Sequence, residues 1–246
     1  MSKTRIVLPE NARQAIVLRE PVTELEIELG PNAFLQVTDT RGAAKGARAN
    51  AVSHATLAEG SRLEFIGVAC GEGVMEHRFE VDLKGKDASV SLKALSVLGG
   101  ESEMRNNTVV HHSAPGTVSR QVYKDILSGK AQSGYSGLVH VHRGADKSDS
   151  NQLNRNLLLS DDASAHSEPQ LKIDADDVKC THGSSTGQLP DEEVFYLRSR
   201  GLDQAAARSL LIYGFAEEIL QEIPAGDVRN ELEALVRSGL KEVTAP

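Results

Sequence analysis

The segment "DDVKCTHGSSTG", Asp176 to Gly187, sets a thiol and an imidazole two residues apart, Cys180-x-His182. In an extended strand residues i and i+2 project to the same side, roughly 7 Å apart, so the two groups can share a site. Thiolate and imidazole together are ligands for zinc, copper(I) or iron–sulfur species. A second pair with this spacing, His140-x-His142, lies in "GYSGLVHVHRGA". Its alternation with Val139 and Val141 also fits an ordinary half-buried strand whose histidines face solvent. His111 and His112 are adjacent, so in a strand they point to opposite faces and form no site by themselves. Cys70, in "FIGVACGEG", reads as a small buried hydrophobe.

Other chemistry is excluded more firmly. Gly183-x-Ser185-x-Gly187 matches the nucleophile-elbow pattern, which sits between a strand and a helix and is followed later in the chain by a triad histidine. Here a helix opens only near Pro190, and no histidine follows His182, so the glycines read as turn residues. Gly71-x-Gly73 lacks the third glycine of a dinucleotide fingerprint, and no phosphate-cradling loop is present. If ATP is used, another chain hydrolyses it. A net charge of -8 argues against a broad nucleic-acid footprint, which needs a basic face. Two distant cysteines are too few for a disulfide scaffold and suit a reducing compartment. The apolar run Ala15 to Leu18 is too short for a signal peptide or a membrane span, so no membrane association and a cytoplasmic location are expected.

The elements that position these residues have period two up to about residue 188. "TELEIEL" puts Leu25, Ile27 and Leu29 on one face and Glu24, Glu26 and Glu28 on the other; "HRFEVDL" and "SVSLKALSV" repeat the pattern. Turn signals separate the runs: Gly30-Pro31-Asn32, Glu59-Gly60, Lys84 to Asp87, Gly99-Gly100, Pro115-Gly116, Ser128-Gly129 and Asp161-Asp162. With no intervening helical period this is an all-β body: sandwich, barrel or solenoid. No fixed-length repeat is evident, so periodicity does not choose among them. Aromatic residues make up only 4% and tryptophan is absent, which leaves an aliphatic core. At Pro190 the character changes. "PDEEVFYLRSRG" carries acids in its first turn, Arg198 and Arg200 in its last and Gly201 as a stop. Asp203 then caps "QAAARSLLIYGFAEEILQEI", and a third helix from about Asp227 aligns Val228, Leu232, Leu235, Val236 and Leu240. The expected organisation is a β body over residues 1–188 and a helical subdomain over 189–246, without a linker. The helices' apolar stripe is expected to cap the last strands.

Three blocks in succession carry a resemblance: "HHSAPGTVSRQVYKDIL", "SGLVHVHRGADKSDSNQLNRNLLLSDDASAHSEPQLKIDADDVKCTHGSSTG" and "EEVFYLRSRGLDQAAARSLLIYGFAEEIL". From about Met104 to Glu222 the chain resembles the SufB/SufD family of iron–sulfur cluster assembly scaffolds, while the first hundred residues are only loosely similar. The resemblance implies a mainly β fold, a right-handed parallel β-helix with a small C-terminal helical subdomain. It implies a non-enzymatic subunit, with no catalytic residues, that takes a transient iron–sulfur cluster and docks a SufC-like ABC-type ATPase on its C-terminal helices. It also implies a dimer with itself or a SufB-like paralogue, through the segment Leu138 to His182. Ala163 stands where SufB has a cysteine, and His182-Gly183 where SufB has His-Glu, so the chain is more SufD-like. Cys180 and His182 are then the expected cluster or metal ligands, with His140, His142 and His166 as accessory groups. The rival readings are a self-contained β-helix enzyme acting on carbohydrate, and a family member that has lost cluster chemistry. The scarcity of aromatics for sugar stacking weighs against the first.

Overall fold

The computed structural model describes residues 2–19 and 22–244, with side chains described as far as residue 238. Among them are fourteen strands: β1 (Lys3–Leu8), β2 (Arg13–Leu18), β3 (Glu24–Leu29), β4 (Phe34–Arg41), β5 (Arg48–Leu57), β6 (Arg62–Gly71), β7 (Val74–Leu83), β8 (Ser89–Leu98), β9 (Glu103–His112), β10 (Val118–Leu127), β11 (Gln132–Val141), β12 (Asp149–Leu158), β13 (Ser164–Ile173) and β14 (Lys179–Gly187). Odd-numbered strands stack in order into one seven-stranded sheet and even-numbered strands into a second. Neighbours within each sheet are parallel. The chain therefore winds as a parallel β-solenoid, each turn adding one strand to each sheet.

The turn length varies, which hides the repeat in the sequence. Arg13 stacks on Phe34, 21 residues on, whereas Val118 stacks on Asp149, 31 residues on. What stays constant is a corner. Asn11, Asn32, Gly60, Asp87, Gly116 and Lys147 all have φ between 55° and 71°, the left-handed region favoured by Gly, Asn and Asp. The N–H groups of the first five donate to Pro31, Glu59, Lys86, Pro115 and Asp146 of the next turn, at 2.8 to 3.0 Å. That of Lys147 donates to Asp177. The turns approach closely at this corner: a Cβ on Gly85 would lie 1.9 Å from the Glu59 nitrogen.

Between the sheets the first turns are filled by aliphatic and aromatic side chains. Leu25, Ile27, Leu35, Val37, Leu57, Leu63, Phe79, Val81 and Leu92 form one buried cluster. Each buried aliphatic side chain contributes roughly 1.5–3 kcal/mol relative to exposure.

Three helices follow, α1 (Asp191–Ser199), α2 (Gln204–Leu220) and α3 (Asp227–Thr244). Asp191, Glu192 and Glu193 occupy the first turn of α1 and Arg198 its last, and Gly201 beyond it has φ 97°. Asp203 caps α2, accepting from the Ala206 N–H at 2.7 Å. The expectation that these helices cap the last strands is corrected by their packing. Ile212, Ala216, Ile219, Leu220, Leu232 and Val236 pack on Ile66, Val68, Leu95, Val97, Ile126 and Leu157, the outer face of the even sheet. Lys124, under α2, donates to the Phe215 carbonyl at 3.0 Å, pairs with Glu218 and lies 4.3 Å from the Phe215 ring centre. The reason is the extra apolar row on that face: a solenoid strand with both faces buried needs a cover outside as well as a filling inside. In α3, Leu232 and Val236 are buried while Leu235 is 41% exposed; the side chain of Leu240 lies outside the described residues. No helix is long and apolar enough to cross a membrane among the described residues.

Candidate functional site

Because the helices lie along the even sheet, the last turn of the solenoid is uncovered. Strands β13 and β14 have no fully buried residue, although their inward positions continue rows that are buried in the turn just before them. In the odd sheet Val139 and Val141 stack on Leu171 and Ile173, and Ile173 is 43% exposed. In the even sheet Ser150, Gln152, Asn154 and Asn156, all buried, stack on Cys180, His182, Ser184 and Thr186. Cys180 and His182 thus belong to the interior row of the solenoid, at its last turn, where that row meets solvent.

The interior behind them is polar. His112 is buried and hydrogen-bonded through both ring nitrogens, to Thr117 Oγ1 and Ser119 Oγ at 2.8 Å each. Burial pushes this imidazole down to about 4, so it is neutral. Ser119 Oγ donates to Ser150 Oγ at 2.9 Å, and Ser150 stacks on Cys180. Asp125, fully enclosed, is pushed up to about 6 by burial, tempered by hydrogen bonding from Ser96, Ser133 and Asn154. Gln121 Nε2, both amide atoms of Gln152, Asn156 Oδ1 and Ser167 Oγ lack a hydrogen-bond partner of good geometry. Each such buried group costs about 1–3 kcal/mol if left unsatisfied. They gather in β10, β12 and β13, toward the open end.

Cys180 is half-buried against Val139, Val141, Leu171 and Val178. Burial raises its thiol above the ordinary range, opposed by a hydrogen bond from the Ser150 backbone and reinforced by Asp149. A soft metal ion would supply the charge that removes this proton. His182 is exposed beside it. Cys70 is pushed up to about 12 by burial and packs under the helices, as an inert hydrophobe does.

The three accessory histidines are not gathered with this pair. His140 and His142 project from the opposite side of the strand whose Val139 and Val141 face Cys180. They meet His111 there, on the outer face of the odd sheet, with His111 Nδ1 3.1 Å from His142 Nε2. His166 lies on the outer face of β13, lining a groove with Arg105, Gly134 and Glu168. Sequence reasoning missed His111, whose partners come from the next turn: it pairs in register with His140, 29 positions along the chain. It also missed the polar interior. "SNQLNRN" is polar on both faces, and only stacking reveals which face is inside.

Comparison with known proteins agrees with this architecture. Residues 2–215 match the SufBD core domain of the SUF system for FeS cluster assembly, so the match includes the N-terminal turns. An iron–sulfur cluster assembly SufBD family protein of Synechocystis sp. is 37% identical over 213 residues, 86% of this chain and 47% of its own length. The iron–sulfur cluster assembly protein SufD of Escherichia coli is 34% identical over 166 residues, 68% of this chain and 39% of that protein. A SufBD family protein of Mycobacterium tuberculosis is 32% identical over 196 residues, 76% of this chain and 49% of that protein. The chain thus spans half or less of the length of these relatives. By fold, by the extent of the match and by these identities, the chain belongs to the SufBD family of iron–sulfur cluster assembly proteins, on its SufD-like side.

Proposed function

We propose that the chain is a scaffold subunit on which an iron–sulfur cluster is assembled, acting without catalysis of its own. The observation that carries this reading is the open end: one thiol and one imidazole, Cys180 and His182, on the interior row at the uncovered last turn. One thiolate and one imidazole fall short of the four ligands that hold a closed metal or cluster site. The shortfall fits cargo held transiently across an interface, with a second copy or a SufB-like paralogue completing the coordination. The unpaired edges of β13 and β14 offer backbone groups to such a partner, and symmetric pairing would cover them. The C-terminal helices serve as the docking surface for a SufC-like ATPase. Phe195, Tyr196 and Leu210 support this, since they remain 72%, 56% and 51% exposed after the helices have packed on the sheet.

The test is anaerobic reconstitution with iron and sulfide in the presence of the cognate partners. His182→Ala should lower cluster accumulation while folding and ATPase binding persist, because an exposed imidazole contributes little to the core. Cys180→Ser should lower it as well. Wild-type rates in both variants would remove the ligand role from Cys180 and His182 and leave the motif a turn; no accumulation on the wild type itself would indicate a member that has lost cluster chemistry. Truncation before Pro190, which removes all three helices, should abolish co-purification of the ATPase; a folded truncation that still binds it would remove the helices from that role.

A further inference from the structure

The outer face of the odd sheet carries ordinary ion pairs in its first turns, such as Lys3 with Glu24 and Arg5 with Glu28. Around β9 and β11 that pattern gives way to three imidazoles. His111 and His140 are stacked partners in the ladder, and His142 follows on the same side. Their rings crowd: the centroids of His140 and His142 are 3.7 Å apart, and those of His111 and His142 5.3 Å. One ring nitrogen from each lies within 4.8 Å of the others. All three residues are partly exposed.

We propose that His111, His140 and His142 form a binding site for one divalent first-row transition-metal ion, separate from the open end of the solenoid. Imidazole nitrogens bind such ions at about 2.0–2.1 Å, so two ligands of one ion stand about 2.9–3.4 Å apart. The 3.1 Å between His111 Nδ1 and His142 Nε2 falls in that interval. A hydrogen bond between the two rings would give the same distance, but it would not bring the third imidazole into the group.

Carboxylates stand where orienting partners belong. Glu80 Oε1 is 3.4 Å from His111 Nε2, and Asp174 Oδ2 is 2.8 Å from His140 Nε2. A metal-bound histidine donates its other ring N–H to such a group, which fixes tautomer and ring plane. The pairing leaves Nδ1 of His111 and of His140, with Nε2 of His142, for the ion. Asp174 is shared with Lys172 at 3.9 Å, and Asp82, adjacent to Glu80 and His111, holds His54 at 3.2 Å. Three nitrogen ligands on an accessible face leave at least one position for water or an outside ligand. The absence of thiolate favours zinc, nickel, copper(II) or ferrous iron over copper(I) or a cluster. The ladder explains the geometry: β9 and β11 bring His111 and His140 together only because the turn between them has the length it has.

Cobalt(II) is the probe, titrated anaerobically into the metal-free full chain and followed by its visible absorption and by equilibrium dialysis. One ion per chain is expected, with zinc displacing cobalt and raising the melting temperature of the wild type. His111→Gln and His142→Gln should each weaken cobalt binding by more than about 100-fold, and Asp174→Asn by about 10–100-fold. Cys180→Ser with His182→Ala should leave it unchanged, which separates this site from the cluster site. The substituted groups are partly exposed, so far-UV circular dichroism should match the wild type; Asp174→Asn, at an exposed edge group, remains informative should a histidine variant misfold. Binding that survives His111→Gln and His142→Gln, or that is lost only in the Cys180 and His182 variant, would overturn the site.

Discussion

The first and last turns of the solenoid share a backbone and differ in their filling. In the turns built by β3 to β8 the space between the sheets is mainly apolar, with Leu25, Ile27, Leu35, Leu57, Leu63, Phe79 and Leu92, and polar groups such as Asp39, Ser53 and His77 are the minority. In those built by β9 to β12 the polar share rises: Asn106, Thr108, His112, Gln121, Asp125, Gln152 and Asn154 are buried to the same degree, beside Val110, Tyr123, Tyr135 and Val139. The parallel ladders and the left-handed corner run through both regions unchanged. Backbone pairing therefore sets the path of the chain, and interior chemistry is free to vary within it. Apolar turns add stability; polar turns spend some of it and bring hydrogen-bonding groups to the open end.

Substitutions at matched interior positions would sharpen or break this contrast. Leu57→Ala, in the apolar region, should lose about 3–4 kcal/mol in chemical denaturation, the transfer term plus a cavity that stacked strands cannot collapse. A loss below about 1 kcal/mol would mean that the first turns are loosely packed and the contrast is one of composition only.

Asp125→Asn should act in the opposite direction and depend on pH. Burial pushes the folded carboxyl up to about 6 from its ordinary 3.8, so it favours the fold when protonated. That contribution is complete below pH 3.8 and is lost as pH rises through 6. The variant should gain at most about 3 kcal/mol over wild type at pH 8 and nothing at pH 3.5. Equal effects at both pH values would show that Asp125 is not held as a buried acid.

Gln152→Met should change stability by less than about 1 kcal/mol, because it removes a buried amide whose hydrogen bonds are poorly made and keeps the volume. A large loss would reveal a satisfied network instead. The smallest effect belongs to His182→Ala, within about 0.5 kcal/mol by thermal unfolding, since the side chain is exposed at the uncovered turn.

Much of the body was readable from period two. "TELEIEL", "HRFEVDL" and "SVSLKALSV" are strands, and their apolar positions are the interior of the early turns. The turn signals were visible too, but not their meaning. Asn32, Gly60, Asp87 and Gly116 are one corner of successive turns and Gly100 and Gly129 another, and unequal turn lengths conceal that they stack. The same inequality hid the site residues' neighbours. That Cys180 and His182 share a face follows from their spacing, whereas their place at the uncovered turn depends on where the helices go. The helices were expected over the last strands. They lie along the even sheet because Ile66, Val68, Leu95, Val97 and Ile126 make its outer face apolar, a second face that alternation does not reveal in strands such as "SLKALSV".

That placement has a mechanical consequence. Fastened across β6, β8, β10 and β12, with Lys124 and Arg155 both reaching Glu218, α2 and α3 act as a splint along the stack. A push delivered to them is shared among several turns and moves the body as a unit. The unsplinted last turn, gripped only from one side, is where the resulting displacement can be taken up as relative motion.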